Sequence, residues 1–261
     1  MKNFNFKSAT NTKEASKLVS GRATFLAGGM TILPAMKLGL AAYSDLINIK
    51  KIKSLSGIKI SSKSLKIGAT TRHVEVASSK EVGKSIPSLA ILAEGIGDPQ
   101  VRNRGTIGGS IANNDPAADY PSACLALNAT IHTSKRKIPA DKFFKGMFET
   151  DLKKGELIES VEFEIPEKSA YAKFPNPASR YAIVGVYIAK LKTGIRVAVT
   201  GVESCVFRCK KLEEALSSNF SASAIENVNI SSKGFNTDIH ASAEYRAHII
   251  KVMAKKAVSS C

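Results

Sequence analysis

The sequence predicts an α+β protein, and three observations carry that reading. The first fifty residues alternate helical and strand-like apolar patterns over short spans. Two long apolar runs, Tyr181 to Ile188 and Ile195 to Val202, are joined by Lys192-Thr193-Gly194 as in a hairpin. The chain then closes on helical patterns, the last from Ser242 to about Val258.

Each element has a local reason. Asn11 and Glu14 have capping-box spacing, Ala15, Leu18 and Val19 make a helical stripe, and Gly21 is a helix stop. Thr24 to Ala27 is a short strand that runs into Gly28-Gly29, and a helix follows with Pro34 in its first turn. Asp45 to Ile49 is another strand. Residues 1–50 therefore read as helix, strand, loop, helix, strand. Leu65, Ile67 and Ala69 alternate with Lys66 and Gly68, a strand with one buried face. Ser85 to Ile96 is an apolar helix with Pro87 near its start. Gly97 to Asp119 is polar and glycine-rich and reads as a long functional loop. A helix over Pro121 to Leu127 follows. Glu162 to Pro177, with Pro166, Pro175 and Pro177 and no clean period, reads as a domain boundary. The closing helix is expected to carry Tyr245, Ile249, Val252 and Met253 on one face.

Composition narrows the class. The chain has 261 residues, enough for one large or two modest domains. No apolar run is long enough to span a bilayer, and the start lacks the apolar block of a signal peptide, so a cytoplasmic address is expected. Cys124, Cys205, Cys209 and Cys261 form no zinc or iron–sulfur spacing and read as reduced thiols, with Cys205 and Cys209 in a strand-like stretch. The net charge of +16 admits nucleic-acid binding, but the lysines are scattered and no stacking aromatics interleave them. A solvated basic surface or a face for an acidic partner is the reading preferred here.

Two glycine pairs carry the chemistry. They are Ala27-Gly28-Gly29-Met30-Thr31 and Thr106-Ile107-Gly108-Gly109-Ser110, each placed where an extended segment meets a turn. A diphosphate needs bare backbone, so that several N–H groups converge on its oxygens, and Thr31 and Ser110 add hydroxyl donors. Neither pair is a dinucleotide-fold fingerprint or a P-loop. Either alone would be read as an ordinary tight turn.

The flanking strings sharpen this. Ala27 to Lys37 (AGGMTILPAMK), Asp98 to Ala112 (DPQVRNRGTIGGSIA) and Asp115 to Pro121 (DPAADYP) resemble the flavin-binding, or medium, subunit of the xanthine dehydrogenase and carbon monoxide dehydrogenase family of molybdenum hydroxylases. Gly68 to Arg72, Lys173 to Ala182 and Ala243 to Arg246 extend the resemblance over nearly the whole chain. It implies a vanillyl-alcohol-oxidase (PCMH) type FAD-binding domain over residues 1–165, with subdomains of about 1–52 and 53–165. A C-terminal α+β flavoprotein domain of the carbon monoxide dehydrogenase type, 166–261, packs alongside. The resemblance implies that both glycine segments wrap the FAD diphosphate and that Asp119, Lys173, Tyr181, the Ile158 backbone, Thr70 and Thr71 contribute to the cofactor site. It also implies an electron-transfer role. Molybdopterin sits in a large partner and 2Fe–2S clusters in a small one, in a dimer of heterotrimers, and FAD here passes electrons to an external acceptor. No catalytic acid, base, nucleophile or metal ligand is expected in this chain.

From the residues alone, bland readings stand beside these. Asp119 is placed to cap the following helix, Lys173 to be a solvated lysine, Tyr181 and Ile158 to be core. Asp98 is placed as a turn cap, His73 as an ordinary polar histidine, and Asn113 and Asn114 as turn organisers. Arg102 and Arg104 pair either with phosphate or with a partner's acids. Two other functions remain open: a stand-alone FAD-dependent oxidase or dehydrogenase of the same fold, and a basic nucleic-acid-binding module. Asn114 and Met30 depart from the common family pattern without removing a backbone donor.

Overall fold

A computed structural model describes residues 1–261. The N-terminal unit runs β1 (Asn5–Ser8), α1 (Thr12–Leu18), β2 (Thr24–Leu26), α2 (Ile32–Lys37) and β3 (Asp45–Asn48). Its strands form a parallel sheet in the order β1-β3-β2. The Asn11 side chain caps α1 by accepting from the Glu14 amide at 2.9 Å. β1 is an addition to the sequence reading. Its residues are mostly exposed, so no apolar alternation announces it, and backbone pairing with β3 fixes it.

The central unit opens with β4 (Ile58–Ile60) and β5 (Ser64–Gly68). Six short helices follow: α3 (His73–Ser78), α4 (Lys80–Ser85), α5 (Pro87–Glu94), α6 (Pro99–Arg104), α7 (Ile107–Asn113) and α8 (Tyr120–Ala126). Then come β6 (Thr130–Thr133), β7 (Lys137–Pro139), α9 (Ala140–Phe143), the hairpin of β8 (Phe144–Gly146) with β9 (Glu149–Thr150), and β10 (Ile158–Glu164). An antiparallel five-stranded sheet has the order β4-β5-β10-β6-β7. Its inward residues Leu65, Ile67, Val161, Phe163 and Ile131 bury against Leu89, Leu92, Ile107 and Ile111 of the helices.

One expectation is corrected in this unit. The passage from Gly97 to Asp119 is no continuous loop, because it holds α6 and α7. Asp98 caps α6 by accepting from the Val101 amide at 2.8 Å, and Pro99 opens it. Thr106 caps α7 in the same way through Gly109. Caps and tertiary docking override the poor helix propensity of Gly and Asn there.

The last unit is β11 (Lys168–Pro175), β12 (Ala182–Leu191), β13 (Gly194–Thr200), β14 (Phe207–Arg208), α10 (Lys210–Ser218) and α11 (Ala243–Ser259). The strands make an antiparallel sheet in that order. β11 lies within the stretch read as a domain boundary without a clean period, and Pro166 precedes it and Pro175 ends it. It is an edge strand, where the missing proline N–H is tolerated. β12 is buried on both faces. Val184, Val186 and Ile188 meet α10 and α11 through Leu212, Ile250 and Ala254, while Tyr187, Ala189 and Leu191 join the central core. A strand covered twice reads as a continuous apolar run, which is why it was visible in the sequence. Cys205 lies in a bend and Cys209 is the N-cap of α10, so neither sits in a strand.

The face of α11 is also corrected. Tyr245 and Val252 are exposed, and the buried line runs through Arg246, Ala247, Ile249, Ile250, Met253, Ala254, Ala257 and Val258. Small alanines let the helix approach the sheet. The buried Arg246 guanidinium bonds the Ile183 and Gly201 carbonyls, both at 2.7 Å. No helix is long and apolar enough to cross a membrane.

Candidate functional site

The first glycine segment leaves β2 and lies against α6. A Cβ on Gly28 would stand 1.9 Å from the Arg104 carbonyl oxygen and 3.0 Å from Gly105 Cα. Backbone thus meets backbone, and no side chain can turn aside. Gly29 has φ +79°, which glycine adopts without strain. The amides of Gly28, Gly29, Met30 and Thr31 have no hydrogen-bond partner within the protein. Thr31 precedes α2 without capping it, so its hydroxyl is also uncommitted. Met30 is partly exposed on the same loop.

The second segment is built differently from the expectation. Thr106 to Ser110 is the first turn of α7, and its amides are spent on the protein. Ile107 donates to the Thr71 carbonyl at 3.1 Å, Gly108 to Ala69 at 2.9 Å, Gly109 to Thr106 Oγ1 at 3.2 Å and Ser110 to the Thr106 carbonyl at 3.0 Å. The expected set of free amides is therefore confined to the first segment. The glycines of the second serve close approach. A Cβ on Gly108 would come within 2.6 Å of Ala69, whereas Gly109 is exposed. The Ser110 hydroxyl has no protein partner.

Thr70 and Thr71 lie beside this turn, Arg72 forming a bridge with Thr106. The Thr71 hydroxyl is occupied by Gly57, accepting from its amide at 3.0 Å and donating to its carbonyl at 3.2 Å. Thr70's hydroxyl has no protein partner. Ile158 is buried at the start of β10, one residue before Glu159, whose carbonyl accepts from Ala69 at 2.9 Å. Its side chain is core, and its backbone borders the same junction. Segments 27–31, 69–72 and 104–110 thus converge, with Ile158 behind them.

Asp119 and its neighbours form the second part. Asp119 is buried, and its side chain makes no cap to α8. Instead Oδ1 accepts from the Tyr171 hydroxyl at 2.5 Å and from the Lys173 ammonium at 2.9 Å. Burial pushes the Asp119 carboxyl above its usual range, while Lys173 and Tyr171 pull it back. Lys173 is no solvated lysine, since its side chain is only 10% exposed. It also donates to Gly95 and Arg180 carbonyls at 2.8 and 3.0 Å. Tyr181, by contrast, is 43% exposed, so the core reading fails for it. Partial burial, then the Asp115 and Asp119 carboxylates, push its hydroxyl above the ordinary tyrosine range.

A histidine joins the two parts. His73 is buried, its ring 5.4 Å from that of Tyr120, next to Asp119. Its other side supports Gly105, where a Cβ would meet Nε2 at 2.5 Å. Burial, then Arg102, lower its pKa to about 4, so it is neutral. Arg102 is committed to the Ile96 and Gly97 carbonyls at 3.0 and 3.1 Å. Asn114 adopts a left-handed φ of +46° at the end of α7 and bonds the Gly146 and Glu149 carbonyls. No cluster of three metal-type ligands occurs, and all four cysteines are free.

Sequence reasoning missed Tyr171 and Gly185. Tyr171 lies two residues before Lys173 on β11, so strand periodicity alone puts both on one face. Gly185 stands across from Lys173, and a Cβ there would be 2.5 Å from the Tyr171 hydroxyl. Its bare backbone lets that hydroxyl reach Asp119.

The family described as FAD binding domain in molybdopterin dehydrogenase matches residues 2–168. The glyceraldehyde dehydrogenase medium chain of Sulfolobus acidocaldarius is 35% identical, covering 97% of this chain and 96% of its own. The carbon monoxide dehydrogenase medium chain of Hydrogenophaga pseudoflava is 33% identical over 91% of this chain and 88% of its own. A solved structure of carbon monoxide dehydrogenase from the same organism superposes with a TM-score of 0.91 at 32% identity, covering 99% of this chain and 96% of that one. Quinoline 2-oxidoreductase of Pseudomonas putida 86 superposes with a TM-score of 0.89 at 26% identity, covering 100% and 98%. By sequence over most of its length and by fold over all of it, the chain belongs to the FAD-binding family of the molybdopterin dehydrogenases, as an electron-transferring flavoprotein subunit of an oxidoreductase.

Proposed function

We propose that residues 1–165 hold FAD with the help of 166–261, and that the chain relays electrons within a three-subunit molybdenum hydroxylase. A small partner with 2Fe–2S clusters supplies the electrons, a large molybdopterin partner oxidises the substrate, and the acceptor is external. The carbon monoxide dehydrogenase and nicotine 6-hydroxylase medium subunits among its relatives support the partners. A dimer of such heterotrimers is the proposed assembly. Bound FAD supplies the conversion between one-electron and two-electron transfer.

The chain's own residues then have defined tasks. The unpartnered amides of Gly28 to Thr31 donate to diphosphate oxygens, with the Thr31, Thr70 and Ser110 hydroxyls beside them. Gly108 and Gly109 bring backbone close, and Thr71 and Ile158 hold the wall behind. Asp119 accepts from a hydroxyl or N–H of the cofactor, and Tyr181 lies against its ring. The observation that carries the reading is the contact of Gly28 with Arg104 and Gly105, which joins the two glycine segments into one cradle. The test is an absorption spectrum of the gently purified chain, with the released cofactor identified by mass. One FAD per chain is expected. A colourless chain that takes up no FAD, alone or with partner subunits, refutes it.

A further inference from the structure

We propose that Lys173 is a positioning residue that clamps the 176–181 turn, and with it Tyr181, to the buried carboxylate of Asp119. What Tyr181 faces rests on the flavin reading above; the clamp rests on geometry.

An ammonium has three protons, and Lys173 directs them to three acceptors. They are Asp119 Oδ1 at 2.9 Å, the Gly95 carbonyl at 2.8 Å and the Arg180 carbonyl at 3.0 Å. Each lies on a different segment: the start of α8, the turn after α5, and the turn between β11 and β12. The cation cannot withdraw without leaving Asp119 buried and unpaired. Tyr171 fixes the same oxygen from the same strand face, so the anchor is held from two sides.

The turn itself depends on this anchor. Asn176 organises its first half, its Oδ1 accepting from the Ala178 and Ser179 amides at 2.9 and 3.0 Å. Arg180 then adopts φ +61°, a left-handed conformation that a long side chain enters only under constraint. That conformation aims the Arg180 carbonyl at Lys173. The next residue, Tyr181, is thereby presented outward, 43% exposed on an otherwise buried strand entry. The conformational cost at Arg180 is offset by a charge-assisted bond, so removing the charge releases the turn.

The test compares full-length Lys173→Met with the wild type, both with FAD, by hydrogen exchange and flavin emission. The Arg180 amide, bonded to the Asn176 carbonyl at 2.8 Å, is expected to exchange at least about ten-fold faster in the variant. Amides of β12 and β13 keep their protection. A tyrosine held against a flavin quenches its emission, so emission at equal FAD occupancy is expected to rise toward that of Tyr181→Phe. Unchanged Arg180 exchange overturns the clamp. Faster exchange with unchanged emission overturns the positioning of Tyr181. If Lys173→Met does not fold, the double variant Lys173→Met/Asp119→Asn removes both buried charges together, and the same exchange decides. Loss of FAD from every form, wild type included, refutes the flavin reading but leaves the exchange comparison intact, so the two failures are told apart.

Discussion

Replacing Gly28 by alanine isolates the contact that joins the two glycine segments. The new methyl group would stand 1.9 Å from the Arg104 carbonyl oxygen and 2.7 Å from its carbon. Real Cβ atoms do not approach that closely, so the segments must separate by about 1 Å or more. Both sides are backbone, and Gly105 is itself packed closely against the His73 ring. Overpacking of this kind costs about 1–3 kcal/mol. If the loop yields and the rest of the fold holds, that energy is taken from cofactor binding, a roughly 5- to 150-fold weaker FAD affinity. The assay is fluorescence titration of the apoprotein with FAD, beside a thermal melt without cofactor. A drop in affinity with a melting shift of a few degrees at most is expected. An unchanged FAD affinity would refute the joined-cradle account.

Two further outcomes follow from the same geometry. Gly109→Ala meets only the Thr106 hydroxyl, at 3.0 Å, and lies within α7, so apoprotein stability is expected to hold or rise by up to about 1 kcal/mol. FAD affinity should fall at the same time if the cofactor comes close to the exposed glycine face as proposed; a variant that binds FAD as the wild type does removes Gly109 from the site. The second outcome concerns pH. His73 titrates near 4 in the folded chain and near 6.5 when unfolded, so the unfolded state gains its proton first as pH falls. Stability is therefore lost between about pH 6.5 and pH 4, by about 3 kcal/mol from this residue. Urea unfolding across that range should show a shallower decline for His73→Gln than for the wild type, and parallel declines would refute the assignment.

How legible these features were depended on whether local sequence or distant contact determined them. β12 and β13 could be read directly, because burial on both faces left an apolar run and Gly194 marked the turn. α1 and α8 announced themselves through Asn11 and through Pro121. α6 and α7 did not, since Gly105, Gly108, Gly109 and two asparagines argue against helix. They are held by Asp98, by Thr106 and by docking onto Ala69. β11 hid behind its flanking prolines. At the site, both glycine strings, Asp119, Lys173 and Tyr181 were visible as residues. Their division of labour was not. Which amides are spent depends on α7 meeting residues 69–71, and the Asp119–Lys173 pair depends on β11 bringing Lys173 to the residue that precedes α8. Neither relation has a local signature.

The two-sided burial of β12 bears on where this protein can be cut. Tyr187, Ala189 and Leu191 complete the central core, with Ala198 and Val206 beside them. Arg196 adds a bond to the Leu125 carbonyl at 2.7 Å. A fragment ending at residue 168, where the family match stops, would present that wall of α8 and α5 bare to water. Expressed alone, it is a poor candidate for a soluble miniature of the flavoprotein. The central core is closed by residues from both sides of that cut, and gene rearrangements that part them would have to supply a substitute cover.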